Sequence, residues 1–137
     1  MTRTEHARLV QSVTTISAIT LLQDAGYDIE PASGNLMGGI IINGTLRVQI
    51  HGALWTKHKH SKGRYQFNIH TKADVFVLVC FGPLNHYFVI PRHAIGDHHN
   101  IAIWSKFPGK YVGRWTQYCD AWHIIDQELA RCQNPTA

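Results

Sequence analysis

The sequence predicts a single α/β domain with a central mixed five-stranded sheet flanked by an N-terminal and a C-terminal helix. Helical patterns stand at both ends of the chain, and five strand-like segments lie between them. One segment, residues 75–81, is continuously apolar, as expected of a strand that is covered on both faces. The length of 137 residues fits one domain, which we assign to residues 1–133 with a disordered tail at 134–137.

The two terminal helices are predicted from apolar residues that recur every three or four positions. The first covers about residues 4–25 and ends near Gly26, which suits the left-handed conformation that closes many helices. The last is predicted from about residue 110 to residue 131. The apolar residues of the first helix are expected to form one stripe that faces the core: Leu9, Val10, Val13, Ile16, Ile19 and Leu22.

The strands are predicted from short apolar or alternating runs that are bounded by turn residues. The pair Asn43-Gly44 is a strong hairpin signal and separates the first two strands. Residues 92–109 are expected to be irregular apart from a short strand at 101–104. The five principal strands are predicted at residues 36–42, 45–55, 64–70, 74–81 and 86–90.

The composition indicates a globular protein with a modest basic excess. Charged residues make up 16% of the chain, and the net charge is +4 with the ten histidines neutral. This charge permits a polyanionic partner without requiring one. The sequence has neither an apolar run of membrane-spanning length nor an apolar signal core, so we expect a cytoplasmic protein without membrane association. Its three cysteines have no spacing typical of a metal site or a disulfide framework.

The second predicted strand carries the most informative pattern, Arg47-Val48-Gln49-Ile50-His51. Alternation places its two apolar residues on one face and its three polar residues on the other. Metal-dependent cleavage of a phosphodiester needs carboxylates that hold a divalent cation and a base or lysine that activates water. A hairpin can supply an acid from its first strand, then an acid and a lysine two apart on its second. Here Gln49 and His51 occupy the last two places.

Four segments together resemble the PD-(D/E)XK endonuclease superfamily, in particular its small branch related to group I intron-associated endonucleases. They are Arg-Val-Gln-Ile-His at 47–51, Gly-Arg-Tyr-Gln-Phe at 63–67, Asp-Val-Phe-Val at 74–77 and Tyr-Phe-Val-Ile-Pro at 87–91. Each is weakly specific alone, and their order within residues 5–125 is more specific. The resemblance implies a nuclease-like fold, DNA as a partner, and magnesium or manganese as the cofactor of an active enzyme.

Two positions depart from the pattern that the resemblance implies. Gly39 stands where the first acid of the family is expected, and His51 stands where the lysine is expected, whereas Gln49 matches the usual glutamine of the branch. A glycine has no side chain with which to bind a metal. The resemblance therefore implies a degenerate catalytic site at Gln49 and His51, with no metal assigned.

Two ways of replacing the missing acid are left open by the sequence. Asp28 or Glu30, on the segment before the sheet, is a candidate substitute ligand. Alternatively, His51 is a candidate ligand for a softer metal, together with His70 or another histidine.

A basic segment follows the second strand, on a predicted hairpin loop. It is interpreted as a phosphate-contacting loop, and the alternative is a solvated hairpin tip. Gln66, Asn68 and His70 are expected to share one face with Gln49 and His51. The predicted nucleic-acid-binding residues are Lys57, His58, Lys59, His60, Lys62, Arg64, Gln66, Asn68 and His70.

These patterns predict a DNA-binding protein of endonuclease-like fold whose catalytic site is weak or inactive. One alternative is an active metal-dependent DNA endonuclease with an atypical Gln-x-His site, and another is a non-catalytic protein-interaction module. A homodimer is a further expectation, because nucleases of this fold often meet a two-fold substrate as symmetric pairs.

Overall fold

The structure is a computed structural model that describes residues 2–34, 39–58, 62–69, 72–107 and 109–133. The described chain forms three layers: a pair of helices, a five-stranded sheet and a four-stranded sheet. The predicted tail at 134–137 and the beginning of the predicted strand 36–42 lie outside the described residues. None of the helices that the structure describes is long and apolar enough to cross a membrane.

Two helices, α1 (Arg3–Asp24) and α3 (His123–Gln133), cover one face of the first sheet, and the short α2 (Arg92–Ile95) follows its last strand. α1 begins with a capping box in which Thr2 and Glu5 exchange side chain–backbone hydrogen bonds of 3.1 and 3.2 Å. The N-terminal helix predicted from the sequence is confirmed.

The apolar residues of α1 do not form the single stripe that we predicted. Val10, Ile19 and Leu22 are buried against the first sheet. Leu9, Val13 and Ile16 are instead exposed on the side away from the core. The prediction was wrong because a helix this rich in apolar residues satisfies a three- and four-residue step on two sides at once. The buried side is completed by small and β-branched residues: Thr14, Thr15 and Ala18.

The first sheet consists of β1 (Ile29–Pro31), β2 (Ile40–Ile42), β3 (Leu46–Ala53), β6 (Val75–Cys80) and β7 (His86–Pro91). These strands lie side by side in the order given, and β3 and β6 form its one parallel pair. A mixed five-stranded sheet flanked by an N-terminal and a C-terminal helix is thus confirmed. β6 is buried at every position, as its continuous apolar sequence predicted.

The hairpin turn between β2 and β3 also matches its sequence signal. Asn43 and Gly44 both have positive φ, at 50° and 76°. This is the backbone conformation that an Asn-Gly pair favours in a two-strand turn.

Four further strands form a second, antiparallel sheet, which the sequence did not predict. In spatial order they are β4 (Thr56–Lys57), β5 (Gly63–Asn68), β8 (Asn100–Ser105) and β9 (Tyr111–Val112). The predicted strand at 64–70 was wrongly placed in the central sheet, and β1 takes that place. Three residues are too few to show a strand period, which is why β1 was missed as a sheet member. Side chains from both sheets fill the space between them: Tyr65, Phe67, Phe76, Leu78, Ile101 and Ile103.

The predicted helix at 110–131 is wrong in its first half. Residues 111–112 form β9, residues 116–118 form one 3-10 turn, and α3 begins only at His123. Gly113 and Asp120 interrupt the segment with φ of 103° and 54°, which a helix does not accommodate. The aromatic residues here follow a helical step in sequence, but they are held by tertiary contacts.

α1 is joined to β3 by the side chain of Gln11. β2 begins at Ile40, opposite Val48, so within the described part of the chain the later residues of β3 have no partner in β2. The Gln11 amide takes this place: its Nε2 donates to the carbonyl of Ile50 (2.7 Å), and its Oε1 accepts from the N–H of Gly52 (2.9 Å). One side chain thereby forms two hydrogen bonds with backbone groups that a neighbouring strand would otherwise satisfy, and it holds α1 against the sheet.

Candidate functional site

Gln49 and His51 lie on β3, on the face of the first sheet that turns toward the second sheet. Their partners on the parallel strand β6 are Phe76 and Leu78, and both of these side chains belong to the core between the sheets. Gln49 is 7% exposed, and His51 is half-buried. The alternation predicted for this strand therefore holds, and its polar face is partly enclosed.

Gly39 lies against Gln49. A Cβ atom placed on Gly39 would be 3.1 Å from Oε1 of Gln49 and 3.5 Å from the carbonyl oxygen of Val48. Gly39 has a φ of 110°, a conformation that L-residues with a side chain rarely adopt. The position that lacks the expected acid is thus next to Gln49, and its backbone is in a form suited to glycine.

A cavity of about 240 Å³ opens beside these two residues. Two cationic residues, Arg47 and Lys72, contribute to its wall, together with the amide of Gln49. Its lining among the described residues contains no Asp or Glu: Ala32, Gly39, Ile40, Arg47, Val48, Gln49, Lys72 and Ala73. Lys72 was not recognised in the sequence, because it lies between two predicted strands and carries no periodic signal.

The donor groups in the described lining of this cavity do not fit a magnesium or manganese ion. Such hard cations take carboxylate and other oxygen ligands, and two neighbouring cations oppose a third. Among the residues that the structure describes, there is no group of three or more His, Cys, Asp or Glu able to hold a metal. His70, the second member of the candidate histidine pair, lies outside the described residues.

Glu30 lies on the same face of the first sheet as Arg47 and Gln49. In the sheet register, Glu30 pairs with Ile41, which pairs with Arg47 on β3. Two strand spacings, about 10 Å, therefore separate the backbones of Glu30 and Arg47. Glu30 is exposed and is not among the residues that line the cavity.

Asp28 is exposed, and its backbone is held by the hairpin turn. Its N–H donates to Oδ1 of Asn43, and its carbonyl accepts from the N–H of Asn43, both at 2.8 Å. Neither candidate substitute acid contributes to the wall beside Gln49.

The second sheet has an exposed face, which we call the outer face. It carries the alternate residues Arg64, Gln66 and Asn68 of β5, whereas Tyr65 and Phe67 between them are buried. We predicted that Gln66 and Asn68 would share a face with Gln49 and His51. This is wrong, because the second sheet lies over that face and turns Gln66 and Asn68 to its opposite side.

Trp104 is the central aromatic residue of the outer face. It pairs with Arg64 across β5 and β8, and the guanidinium carbon of Arg64 lies 5.4 Å from its ring centroid. The ring of His58 meets it edge-on, also at 5.4 Å. A shallow cavity of about 410 Å³ adjoins it, with Lys62 in its wall. Trp104 was not recognised in the sequence as a surface residue, because a tryptophan is by default expected to pack in the core.

The predicted basic segment begins at the edge of the outer face. Lys57 is on β4, and His58 and Lys62 flank the residues that join β4 to β5. All three are exposed. The other two members of the segment, Lys59 and His60, lie outside the described residues.

The buried core between the two sheets contains ionisable groups that are held neutral. Burial raises the pKa of Tyr65 to about 12, and it raises the pKa of the Cys80 thiol well above its ordinary value. Burial also raises the pKa of Tyr111, whose hydroxyl shares a 2.7 Å hydrogen bond with Nδ1 of His86. A thiol with a raised pKa is a poor nucleophile, so Cys80 is a packing residue.

Comparison with solved structures identifies the fold. The chain superposes on a bacterial homing endonuclease, I-Ssp6803I, with a TM-score of 0.72 and 20% sequence identity. The match covers 95% of this chain and 97% of that chain. The protein has an endonuclease-like fold. No protein-family model matches the sequence, and no curated protein matches it.

Proposed function

We propose that this protein binds double-stranded DNA through the outer face of the second sheet and cleaves it weakly or not at all. The proposal includes assignment of the fold to the PD-(D/E)XK superfamily, a cytoplasmic location and a homodimeric state. The observation that carries it is the separation of two features: an exposed, cationic, amide-bearing face, and a cavity at Gln49 without a carboxylate in its described wall.

The outer face has the charge and chemistry that a duplex requires. Lys57, Lys62 and Arg64 supply cations for phosphates, and the described strands of this sheet, β4, β5, β8 and β9, contain neither Asp nor Glu. A two-stranded antiparallel ribbon fits the major groove of DNA. β5 and β8 form such a ribbon at the centre of the sheet.

Amide side chains along this ribbon are suited to contact base edges. Gln66 and Asn68 project from the outer face two residues apart, and Asn100 pairs with Asn68 on β8. Asn and Gln can form two hydrogen bonds with the edge of adenine in the major groove. In this proposal the cations fix the protein on the backbone, and the amides read the sequence.

The proposed DNA binding is tested by duplex binding as a function of salt. We expect binding that weakens steeply as salt rises, because phosphate contacts release counterions. Arg64→Ala is expected to lower affinity and reduce the salt slope by about 1. Arg131→Ala is the matched control, since Arg131 is an exposed arginine on α3 and pairs with Glu128. Lack of binding at low salt, or equal effects of the two variants, would contradict the proposal.

An active endonuclease with an atypical site is the second candidate. The position of Lys72 favours it, but the described cavity wall supplies no carboxylate for the metal, which would need ligands from elsewhere. Lys72 contributes to the cavity wall beside Gln49, where a lysine could take over the place that His51 fills. The test is nicking of supercoiled plasmid with magnesium or manganese at protein excess. Metal-dependent nicking that Lys72→Ala abolishes would establish the enzyme, and an intact plasmid with both metals would remove it.

A further inference from the structure

α1 carries a second apolar stripe on the side away from the core. Leu9, Val13 and Ile16 are 47%, 41% and 61% exposed. Thr20 follows with the same orientation, since residues of a helix advance by about 100° each. We call these four residues the α1 stripe. It lies opposite the side that Ala18 and Leu22 bury against the first sheet.

This arrangement is unusual for a helix on the surface of a domain. Such a helix normally turns one apolar side to the core and a polar side to water. Thr20 does not interrupt the apolar character of the stripe, because its hydroxyl donates to the carbonyl of Ile16 within the helix (2.8 Å). The methyl group of Thr20 is then available for packing.

We propose that the α1 stripe binds the same stripe of a second copy of this chain, with the two helices antiparallel about a two-fold axis. Its members are separated by four, three and four residues, which is the spacing of contacts in a two-helix coiled coil. Antiparallel pairing sets Val13 against Ile16 of the second copy and Leu9 against Thr20 of the second copy. The stripe is therefore complementary to itself.

The charges at the two ends of α1 support the antiparallel direction. Arg3 and His6 are exposed in the first turns, and Asp24 is exposed at the last position. Antiparallel pairing brings Asp24 of each copy toward Arg3 and His6 of the other copy, and it aligns the helix dipoles favourably. Parallel pairing would instead place the basic N-terminal turns together. Glu5 is engaged at the N-terminus of its own helix by Thr2.

The contact is expected to be small. A helix of 22 residues is about 33 Å long, and one pair of such helices buries on the order of 1,000 Å² in total. This lies at the low end for specific interfaces. We therefore expect a dimer that dissociates in the micromolar range.

The order of the layers determines where the two outer faces would point in such a dimer. The α1 stripe and the outer face of the second sheet lie on opposite sides of the first sheet. A dimer formed through α1 therefore directs its two outer faces away from each other. The α1 contact specifies the homodimeric state that the proposed function includes. If the proposed DNA binding also holds, the dimer would join two duplex segments, and this consequence rests on that binding.

Sedimentation velocity of the full chain without DNA tests the dimer. We expect the wild type to shift from monomer to dimer between about 1 and 300 μM, and Ile16→Glu to stay monomeric over that range. Leu84→Glu is the matched control, because Leu84 is 76% exposed on a turn outside α1 and should dimerise like the wild type. A monomeric wild type at the highest concentration, or normal dimerisation of Ile16→Glu, would overturn the proposal.

A charge exchange tests the direction of pairing with variants that leave the apolar stripe intact. Asp24→Lys should weaken dimerisation, and adding Arg3→Glu and His6→Glu should restore it. All three side chains are exposed, so the fold is expected to tolerate the changes. Failure of the combined variant to recover would overturn the antiparallel arrangement. Because no DNA is present, these results do not depend on whether the protein binds a duplex.

Discussion

Arg64 lies over the ring of Trp104 on the outer face of the second sheet, with its guanidinium carbon 5.4 Å from the ring centroid. The pair joins neighbouring strands, β5 and β8, at directly opposed positions. The attraction between a guanidinium and the face of an indole restricts the arginine side chain, so it loses less freedom when it binds an anion. Under the proposed function, this contact prepares one cation of the surface to bind a phosphate of DNA.

Replacing Arg64 by lysine keeps the positive charge but removes the planar guanidinium. We expect Arg64→Lys to weaken duplex binding about 3- to 10-fold while the salt slope stays unchanged, because one cation remains but the guanidinium contact with Trp104 is lost. Trp104→Ala should have a similar effect on affinity. Fluorescence anisotropy with a labelled duplex measures both. Wild-type affinity in both variants would show that the contact between Arg64 and Trp104 has no part in binding.

Loss of the Gln11 amide should destabilise the whole domain. Gln11→Leu removes both hydrogen bonds to β3 and leaves the polar groups of Ile50 and Gly52 without these partners. We expect the free energy of unfolding to fall by about 2–3 kcal/mol, measured by urea denaturation. Gln23→Leu is the control, because Gln23 is exposed on the same helix. Equal stability of the two variants would contradict the anchoring role.

Substitution of Gly39 should destabilise the protein more than substitution of a glycine that has a similar φ but no atoms near the position of a Cβ. Gly39 and Gly113 have φ of 110° and 103°, but a Cβ on Gly113 would meet no atom within 4 Å. Gly113→Ala should lower the free energy of unfolding by about 1–2 kcal/mol, because an alanine is strained in this backbone conformation. Gly39→Ala should lower it by about 0.5–1 kcal/mol more, because the Gln49 side chain must also move. Thermal unfolding of the two variants gives the difference, and a smaller loss at Gly39 would refute the contact.

The hydrogen bond from Tyr27 to Asp126 should make stability fall at high pH. Tyr27 donates to Oδ1 of Asp126 (2.5 Å), and burial, together with that carboxylate, raises the Tyr27 pKa to about 12. An unfolded tyrosine loses its proton near pH 10, so the stabilisation is complete below pH 10 and is lost as pH rises toward 12.

Replacement of Tyr27 measures how much of the loss of stability at high pH comes from this residue. Tyr27→Phe should lower the free energy of unfolding by about 1 kcal/mol at pH 7. The variant should also lose less stability than the wild type between pH 10 and pH 12, although Tyr65 still contributes because its pKa is also about 12. Parallel pH curves for the two proteins would argue against the assignment.

Sequence patterns predicted correctly those parts of the fold that depend on interactions between residues close together in the chain. The Asn43-Gly44 turn, the buried strand β6 and the existence of α1 all follow from turn chemistry, continuous apolarity and helical period. β1 and the second sheet depend on pairing between distant segments, and short strands such as β4 and β9 carry little period of their own. The side of α1 that faces the core was equally undecided, because apolar residues occupy both sides.

The candidate site was predicted only where alternation along one strand was enough. Gln49 and His51 share a face of β3 as expected, and Gly39 lies against Gln49. The contribution of Lys72 to the cavity depends on the tertiary position of a residue outside the strands, which no pattern in the sequence reveals. The placement of Gln66 and Asn68 failed because it required knowing that their strand belongs to another sheet.

The backbone at Gly39 restricts how an acid could return beside Gln49. A φ of 110° is a conformation that aspartate and glutamate rarely adopt, and the nearest space is already filled by the Gln49 amide. One amino-acid exchange at this position would therefore not rebuild a carboxylate site. The backbone at Gly39 itself would first have to change its conformation, so the obstacle to an acid at this position lies in the backbone and not only in the missing side chain.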